Sequence, residues 1–305
     1  MARLAVRGGG VKTVYGTSTA KSFDPSRKRW PNSWLEALDD HLLDLLAEDW
    51  PQSIRHCFYR MTDPRLPVYV PKTEHGYRRI QRRLTLLRRA GRLSYSRLVD
   101  TTRAGHHVPT YGGAGDFLER VAGLYRHNLW ENADTHVEVW CESASIAGVL
   151  RGTCQELAVS LYPTRGFSSL TLAYEAAEEI NEAGRVRAVV LYVGDYDPAG
   201  VLIDQAVEME LQGHLHVPLE MRRLAINENQ ITEYDLPAKP RKESERRRPD
   251  VKETVEAEAM PAGILRRMVR NAVEEYLPAN ALLAAKEAEA SERAVLRAIA
   301  GELAA

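Results

Sequence analysis

The chain has 305 residues, a formal net charge of -1 and 44% hydrophobic residues. That length leaves room for two domains and a sizeable core, and that composition excludes a mainly disordered protein. No apolar run approaches the roughly 18 residues of a membrane span, and the opening MARLAVRGGGVKTVYG lacks the apolar core of a signal peptide, so a cytoplasmic protein with no membrane partner is expected. Cys57, Cys141 and Cys154 have no CxxC spacing and read as small buried apolar residues rather than a disulfide framework or zinc ribbon. The histidines form no HExxH, and neither the pair at 106–107 nor HLH at 214–216 has a matching ligand cluster.

Residues 1–30 read as a flexible basic tail. PNSWLEALDDHLLDLLAEDWP predicts a helix with Ser33 as N-cap and Leu35, Leu38, Leu42, Leu45 and Leu46 on one face, ended by Trp50-Pro51. QSIRHCFYRMTD predicts a second, short helix capped by Ser53. TEHGYRRIQRRLTLLRRAGRL predicts a third, with Tyr77, Ile80, Leu84 and Leu87 inward, arginines outward and Gly91 at its end. RLSYSRLVDTTR alternates weakly, as a short strand or wing would. Three helices and a small β element form the pattern of a winged helix-turn-helix over 31–110, its arginine-rich third helix standing where a recognition helix would. Between Lys72 and Arg103 only Glu74 and Asp100 oppose a run of arginines, so a polyanion, duplex DNA, is the expected partner. The candidate contacts are Arg78, Arg79, Arg82, Arg83, Arg88 and Arg89. These lie too far around a helix for all to reach one groove, so some must be solvated or paired.

Residues 111–134 read as a connecting helix or linker, and GGAGDFLER within them as a helix-capping turn, since it lacks the lysine of a phosphate-binding loop. From 135 the pattern becomes strand–helix alternation. THVEVWCE, VSLYPTRG, RVRAVVLYVGDYD and LHVPLEMRRLAI are strands, separated by the helices SIAGVLRGTCQELA, SSLTLAYEAAEEINEAG and PAGVLIDQAVEMELQG, which predicts a parallel sheet covered on both faces. NENQITEYDL is a short helix capped by Asn227, PAKPRKESERRRPD a flexible charged loop, and the chain from Pro261 helical. The α/β domain spans 135–277 and a C-terminal helix 278–305.

In LYVGDYDPAG, Asp195 and Asp197 follow a buried strand directly, at the end where parallel sheets bind ligands. Residues two apart in extended chain project to the same side, and Pro198 stands in the first turn of the next helix. Glu142 closes the first strand of the same region, so neighbouring strands would bring three carboxylates to one crevice. Such a set suits Mg²⁺, which prefers oxygen ligands and phosphate to complete its shell. The alternative is that Glu142 and Asp197 are helix N-caps or first-turn acids.

VWCESAS followed by LYVGDYDPAG resembles the Toprim signature, and GDYDPAG resembles the DxDPxG form of the topoisomerase VI A subunit and the related meiotic double-strand-break transesterases. RGFSSLTLAYEAA, LAINENQITEYDLPAKPRK and VEAEAMPAG resemble further segments of that family, with Glu258 where the family has Asp. SIRHCFYRM resembles the RDxYY motif of its winged-helix domain, keeping Arg55 and Tyr59 and carrying His56 and Phe58 at the other two places. The resemblance spans residues 35 to 275. It implies a winged-helix domain followed by a Toprim domain and attack on DNA by Tyr59. It also implies a site of Glu142, Asp195 and Asp197 for Mg²⁺, with Mn²⁺ as substitute, and a tyrosyl–5′-phosphate product. It further implies a homodimer in which one chain's tyrosine meets its partner's metal site, and a separate ATPase subunit for any strand passage. The protein would be associated with nucleoid or phage DNA. Unperturbed tyrosine, with a pKa of roughly 10, is only about 0.1% phenolate at pH 7, and Arg55, one helical turn away, is expected to favour the anion. A hydrolytic Toprim nuclease with a structural Tyr59 packed beside Phe58, and a non-catalytic DNA-binding protein of the same fold, are the alternatives.

Overall fold

The computed structural model describes residues 25, 30–99, 108–165, 170–241, 245 and 247–304. The basic tail expected over 1–30 lies almost wholly outside them, as does the end of the expected wing at 100–103.

Helix α1 (Asn32–Glu48) buries Leu38, Leu42, Leu45 and Leu46 as its spacing requires. Ser33 is not its cap. The cap is Pro31 and the helix starts two residues earlier than a Ser33 cap would set it, because the Pro31 carbonyl already accepts from the N–H groups of Trp34 (3.1 Å) and Leu35 (3.2 Å). Helix α2 (Ile54–Arg60) is capped by Ser53, whose hydroxyl accepts from His56 N (3.2 Å). Helix α3 (Glu74–Arg89) buries Ile80, Leu84 and Leu87. Gly91, at φ +70°, turns the chain out of it.

The expected strand at 92–103 is absent among the described residues. Tyr95–Arg97 form a 3₁₀ turn, and Leu98 makes one isolated bridge to Gln52. The guanidinium of Arg88 donates to the carbonyls of Tyr95 (2.9 Å) and Leu98 (3.0 Å), taking acceptors that a strand partner would have used.

Helix α4 (Ala114–Ala122) follows Gly113. Then β1 (Thr135–Cys141), α5 (Ala144–Glu156), β2 (Ser160–Pro163), α6 (Leu170–Glu182), β3 (Arg187–Val193), α7 (Gly200–Gln212) and β4 (Leu219–Ala225) realise the alternation read from the sequence. The strands pair in parallel in the order β2-β1-β3-β4. Alternation along the strands sorts their side chains between two layers. Trp140, Val190 and Tyr192 pack with Ala173, Ala176 and Ile203 on one face. Val139, Cys141, Leu191 and Val193 pack on the other, with Ile146 and Leu150 of α5. All three cysteines are free and buried.

After α8 (Glu228–Glu233) the segment expected to be a flexible loop is pinned in part. Strand β5 (Lys239–Pro240) pairs antiparallel with β6 (Glu253–Thr254), and Arg241 N donates to Lys252 O (2.9 Å). Residues 242–244 and 246 lie outside the described part. Helix α9 (Ala262–Glu274) covers the sheet beside α5, and α10 (Ala281–Ala304) lies along α4. The contact is close: a Cβ on Gly115 would stand 2.9 Å from the Ala300 carbonyl oxygen. One buried apolar cluster runs from α1, α2 and α3 through Met260 and Leu265 to the sheet, so the helical part and the α/β part share a core. No described helix is long and apolar enough to cross a membrane.

Candidate active site

The sheet order reverses direction of growth between β1 and β3, and a crevice opens there beyond the carboxyl ends of the strands. Cys141 and Val193 are in register, so the residues that follow each, Glu142 and Gly194-Asp195, leave the sheet side by side. Glu142 N donates to Val193 O (2.9 Å), and the Glu142 carboxylate accepts from Asp195 N (2.9 Å). Neighbouring strands thus bring Glu142 to the aspartates. Arg223 of β4 clamps the loop from beneath, donating to the carbonyl oxygens of Asp195, Gly200 (3.2 Å) and Ile226 (3.0 Å) while paired with Asp204 (2.8 Å). Gly200 permits the tight return, since a Cβ there would sit 2.3 Å from the Asp195 carbonyl oxygen.

Each acid has one oxygen tied to backbone. Asp195 Oδ1 accepts from Ala257 N (2.8 Å), and Asp197 Oδ1 from Ala199 N (2.8 Å) and Gly200 N (2.7 Å). Asp197 therefore does cap the approach to α7, and Pro198 stands before that helix instead of in its first turn. Glu142 Oε1, Asp195 Oδ2 and Asp197 Oδ2 make no hydrogen bond among the described residues. Burial and the charge of Asp197 raise the Glu142 carboxyl, although the Asp195 N–H opposes this. Burial, Glu142 and Glu258 push Asp195 up to about 8. Glu142 is the neighbour that both aspartates share.

Two more acids come from a segment whose role the spacing did not reveal. Tyr196 and Val255 exchange N–H···O bonds (2.8 Å each), which stitches 253–258 to the loop after β3. Glu258 is buried and accepts from Ser145 Oγ (2.7 Å) and Ser143 Oγ (3.1 Å). Glu256 pairs with Arg55 (2.7 Å) and reaches the Tyr59 hydroxyl.

Tyr59 is 5% exposed. Its ring packs edge-on against Phe58 (5.3 Å between centroids), and the Lys72 ammonium lies 5.1 Å from its centre. Arg55 favours the phenolate, as expected, but is outweighed. Burial first, then Glu256, hold the proton on and raise the phenol well above its ordinary value. Tyr59 and Asp197 nonetheless line one cavity of about 440 Å³, together with Lys72, Lys239, Arg241, Arg247 and Glu256. Burial and Lys239 lower the Lys72 ammonium to about 8.

The arginine helix is less available than its sequence implies. Arg83 makes a forked, half-buried pair with Asp39 of α1, whose carboxylate is 3% exposed. Arg88 is spent on backbone carbonyls, Arg79 stacks on Trp30 (4.1 Å), and Arg78 pairs with Glu74 (3.0 Å). Arg82 and Arg89 are exposed. Asp39 and Asp40, remote in sequence, supply the opposing charge that the local pattern lacked.

Among the described residues no group of three His, Cys, Asp or Glu side chains is placed to hold a metal ion. In chemistry alone, an all-oxygen donor set is the kind magnesium takes. Three carboxylates each keep an oxygen unbonded, and Mg²⁺ commonly takes one or two carboxylates and completes its shell with water and phosphate. No family model, curated protein or solved structure matches the chain.

Proposed function

We propose that this chain is a magnesium-dependent DNA-cleaving enzyme of the Toprim kind, which breaks a phosphodiester by transesterification to Tyr59. The supporting observation is the shared cavity. A tyrosine, Asp197 of the crevice at the sheet's switch point and four cationic side chains, Lys72, Lys239, Arg241 and Arg247, face the same space. Cations around an acidic centre suit a ligand that is itself anionic and carries a metal ion with it. Helices α1–α3, with no wing strand among the described residues, would hold duplex DNA through Arg78, Arg82 and Arg89, the outward-facing members of the arginine helix.

Bound at Glu142, Asp195 and Asp197, Mg²⁺ would polarise the phosphoryl oxygens and stabilise the departing 3′ oxygen, and Mn²⁺ shares its preference for oxygen ligands. The chain's own residues do the rest. Arg55 and Lys72 orient the phosphate beside Tyr59. The Tyr59 oxygen attacks phosphorus as its proton moves to Glu256. That transfer is uphill in the resting site, where burial raises the phenol and the Tyr59 hydroxyl, then Arg55, hold the Glu256 carboxyl low against its own burial, so it accompanies bond formation. Double-strand breakage would use a homodimer, and strand passage a separate ATPase.

The retained phenol proton and the burial of Tyr59 favour a second reading, hydrolysis by water at the acidic crevice with Tyr59 structural. Plasmid cleavage in Mg²⁺ or Mn²⁺, with and without protease before a denaturing gel, separates the two. Transesterification gives a protein–DNA adduct that Tyr59→Phe and Asp195→Asn both abolish. Cleavage that survives Tyr59→Phe but not Asp195→Asn establishes hydrolysis. Binding without cleavage in either metal defeats both.

A further inference from the structure

We infer that the cavity between α1 and α3 is a nucleotide site, which takes a phosphate on Arg78 and Arg82 and the attached base against Arg79 and Leu35. It stands apart from Tyr59 and from the acidic crevice, and it adds a place for a base to the phosphate contacts proposed for the outer arginines. The observation begins with a period. His75, Arg78, Arg79, Arg82 and Arg83 recur along α3 at steps of three and four, so they share one face. That face, Leu35 of α1 and Trp30 line a cavity of about 440 Å³, a size suited to a small ligand. No carboxylate lines it among the described residues. Glu74 and Asp39, which pair with Arg78 (3.0 Å) and Arg83, stand outside the lining.

Two of these arginines are set in place before any ligand arrives. Arg79 lies over the Trp30 ring, 4.1 Å from its centre, and donates to His75 Nε2 (2.9 Å). Trp30 is held in turn by Trp34, edge-on at 6.1 Å, and by donation from its Nε1 to Pro25 O (3.2 Å). Arg83 is fixed by its fork onto Asp39. A guanidinium held flat is a surface on which a base stacks, and holding it beforehand removes part of the ordering cost of binding. Arg78 and Arg82 are exposed and one turn apart, so they can swing onto phosphate oxygens, which guanidinium groups grip in pairs. The surface pair of Arg78 with Glu74 is weak enough to exchange. Leu35, half-buried, supplies the apolar part of the wall. A bare anion would use the arginines and leave that wall empty. An acidic peptide would do the same, since its carboxylates bring no planar face to Arg79. A nucleotide uses both, whether it is free in solution or the last nucleotide of a strand.

The test is calorimetric titration of the full chain in EDTA, where metal-dependent cleavage does not intervene. The probes are dAMP and deoxyribose 5-phosphate, which carries the same phosphate and no base. Wild type is expected to bind dAMP about tenfold more tightly than the sugar phosphate, the worth of one stacked base. Arg82→Ala should weaken both by about tenfold through loss of a charge-assisted contact. Arg79→Lys keeps the charge and loses the plane, so it should bring dAMP down to the sugar phosphate while leaving the latter within about twofold. Arg267→Ala removes an exposed cation of α9 and should change neither. Matching thermal melts of the variants exclude loss by misfolding. Equal binding of the two probes, equal losses from Arg267→Ala and Arg82→Ala, or no saturable binding of dAMP would each overturn the inference. Two hairpin DNAs, one blunt and one ending in a single unpaired 5′-phosphorylated nucleotide, separate the sources. Tighter binding of the second, erased by dAMP, supports the site as one for a strand end. Equal binding of the two beside saturable dAMP supports it as one for a free nucleotide. Tyr59 takes no part in these measurements, so the site stands or falls separately from the transesterase reading.

Discussion

Asp195→Asn should make the metal-free protein more stable, most of all in mild alkali. The Asp195 carboxyl has an ordinary value of 3.8 and is raised in the fold to about 8 by burial, Glu142 and Glu258. Between those values the unfolded chain has released its proton while the folded chain keeps it. Folding therefore weakens as pH rises from about 4 to about 8, then levels off. Four pKa units at about 1.4 kcal/mol each set a ceiling of roughly 6 kcal/mol. Glu142 titrates with Asp195 and relaxes when either charge goes, so about 2–4 kcal/mol is expected for the single change at pH 8. Asparagine keeps the Oδ1 that accepts from Ala257 N, so little structural loss offsets this gain. At roughly 2 °C per kcal/mol for a chain of this size, the variant should melt about 4–8 °C higher at pH 8 and near wild type at pH 4. Calorimetry at both pH values in EDTA, then in Mg²⁺, reads this directly. Magnesium should stabilise wild type alone and close the gap. A variant that melts below wild type at pH 8, or a difference equal at both pH values, would refute the reasoning.

Two further outcomes follow from buried charge elsewhere. Arg83→Ala leaves Asp39, at 3% exposure, without its forked partner, and should cost about 3–5 kcal/mol in urea unfolding, with the Asp39→Ala, Arg83→Ala double variant recovering part of it. His56 is held neutral, with burial and then Arg266 pulling it from 6.5 to about 3. Its contribution is present above 6.5 and is lost as pH falls towards 3, by on the order of 4 kcal/mol. The stability difference between wild type and His56→Gln should therefore shift against wild type on acidification, opposite in sign to the Asp195 effect.

Much of this site was legible because its determinants are local. The strand ends at Glu142 and Asp195 follow from runs of buried residues with a fixed period, and Ser53 and Gly91 act within a few residues of themselves. What escaped depends on contacts between distant segments. Asp39 occupies a helix position that reads as polar surface until α3 is laid against it. Glu258 was marked by resemblance alone and Glu256 by nothing, since the Tyr196–Val255 pairing that ties their segment to the loop after β3 has no local signal. Lys72 precedes its helix with no periodic signal, yet stands over Tyr59. The wing failed for a related reason, since alternation at 92–103 cannot foresee that Arg88 claims the carbonyls.

The seat of α10 on α4 bears on how the chain is made. Residues 114–122 emerge from the ribosome long before 281–304, and until then the surface around Gly115 has nothing to rest on. Synthesis from the N-terminal end leaves that helix waiting through the whole sheet. A helix translated after the whole sheet thus closes the seam on one made before it, so this pairing forms late relative to the sheet.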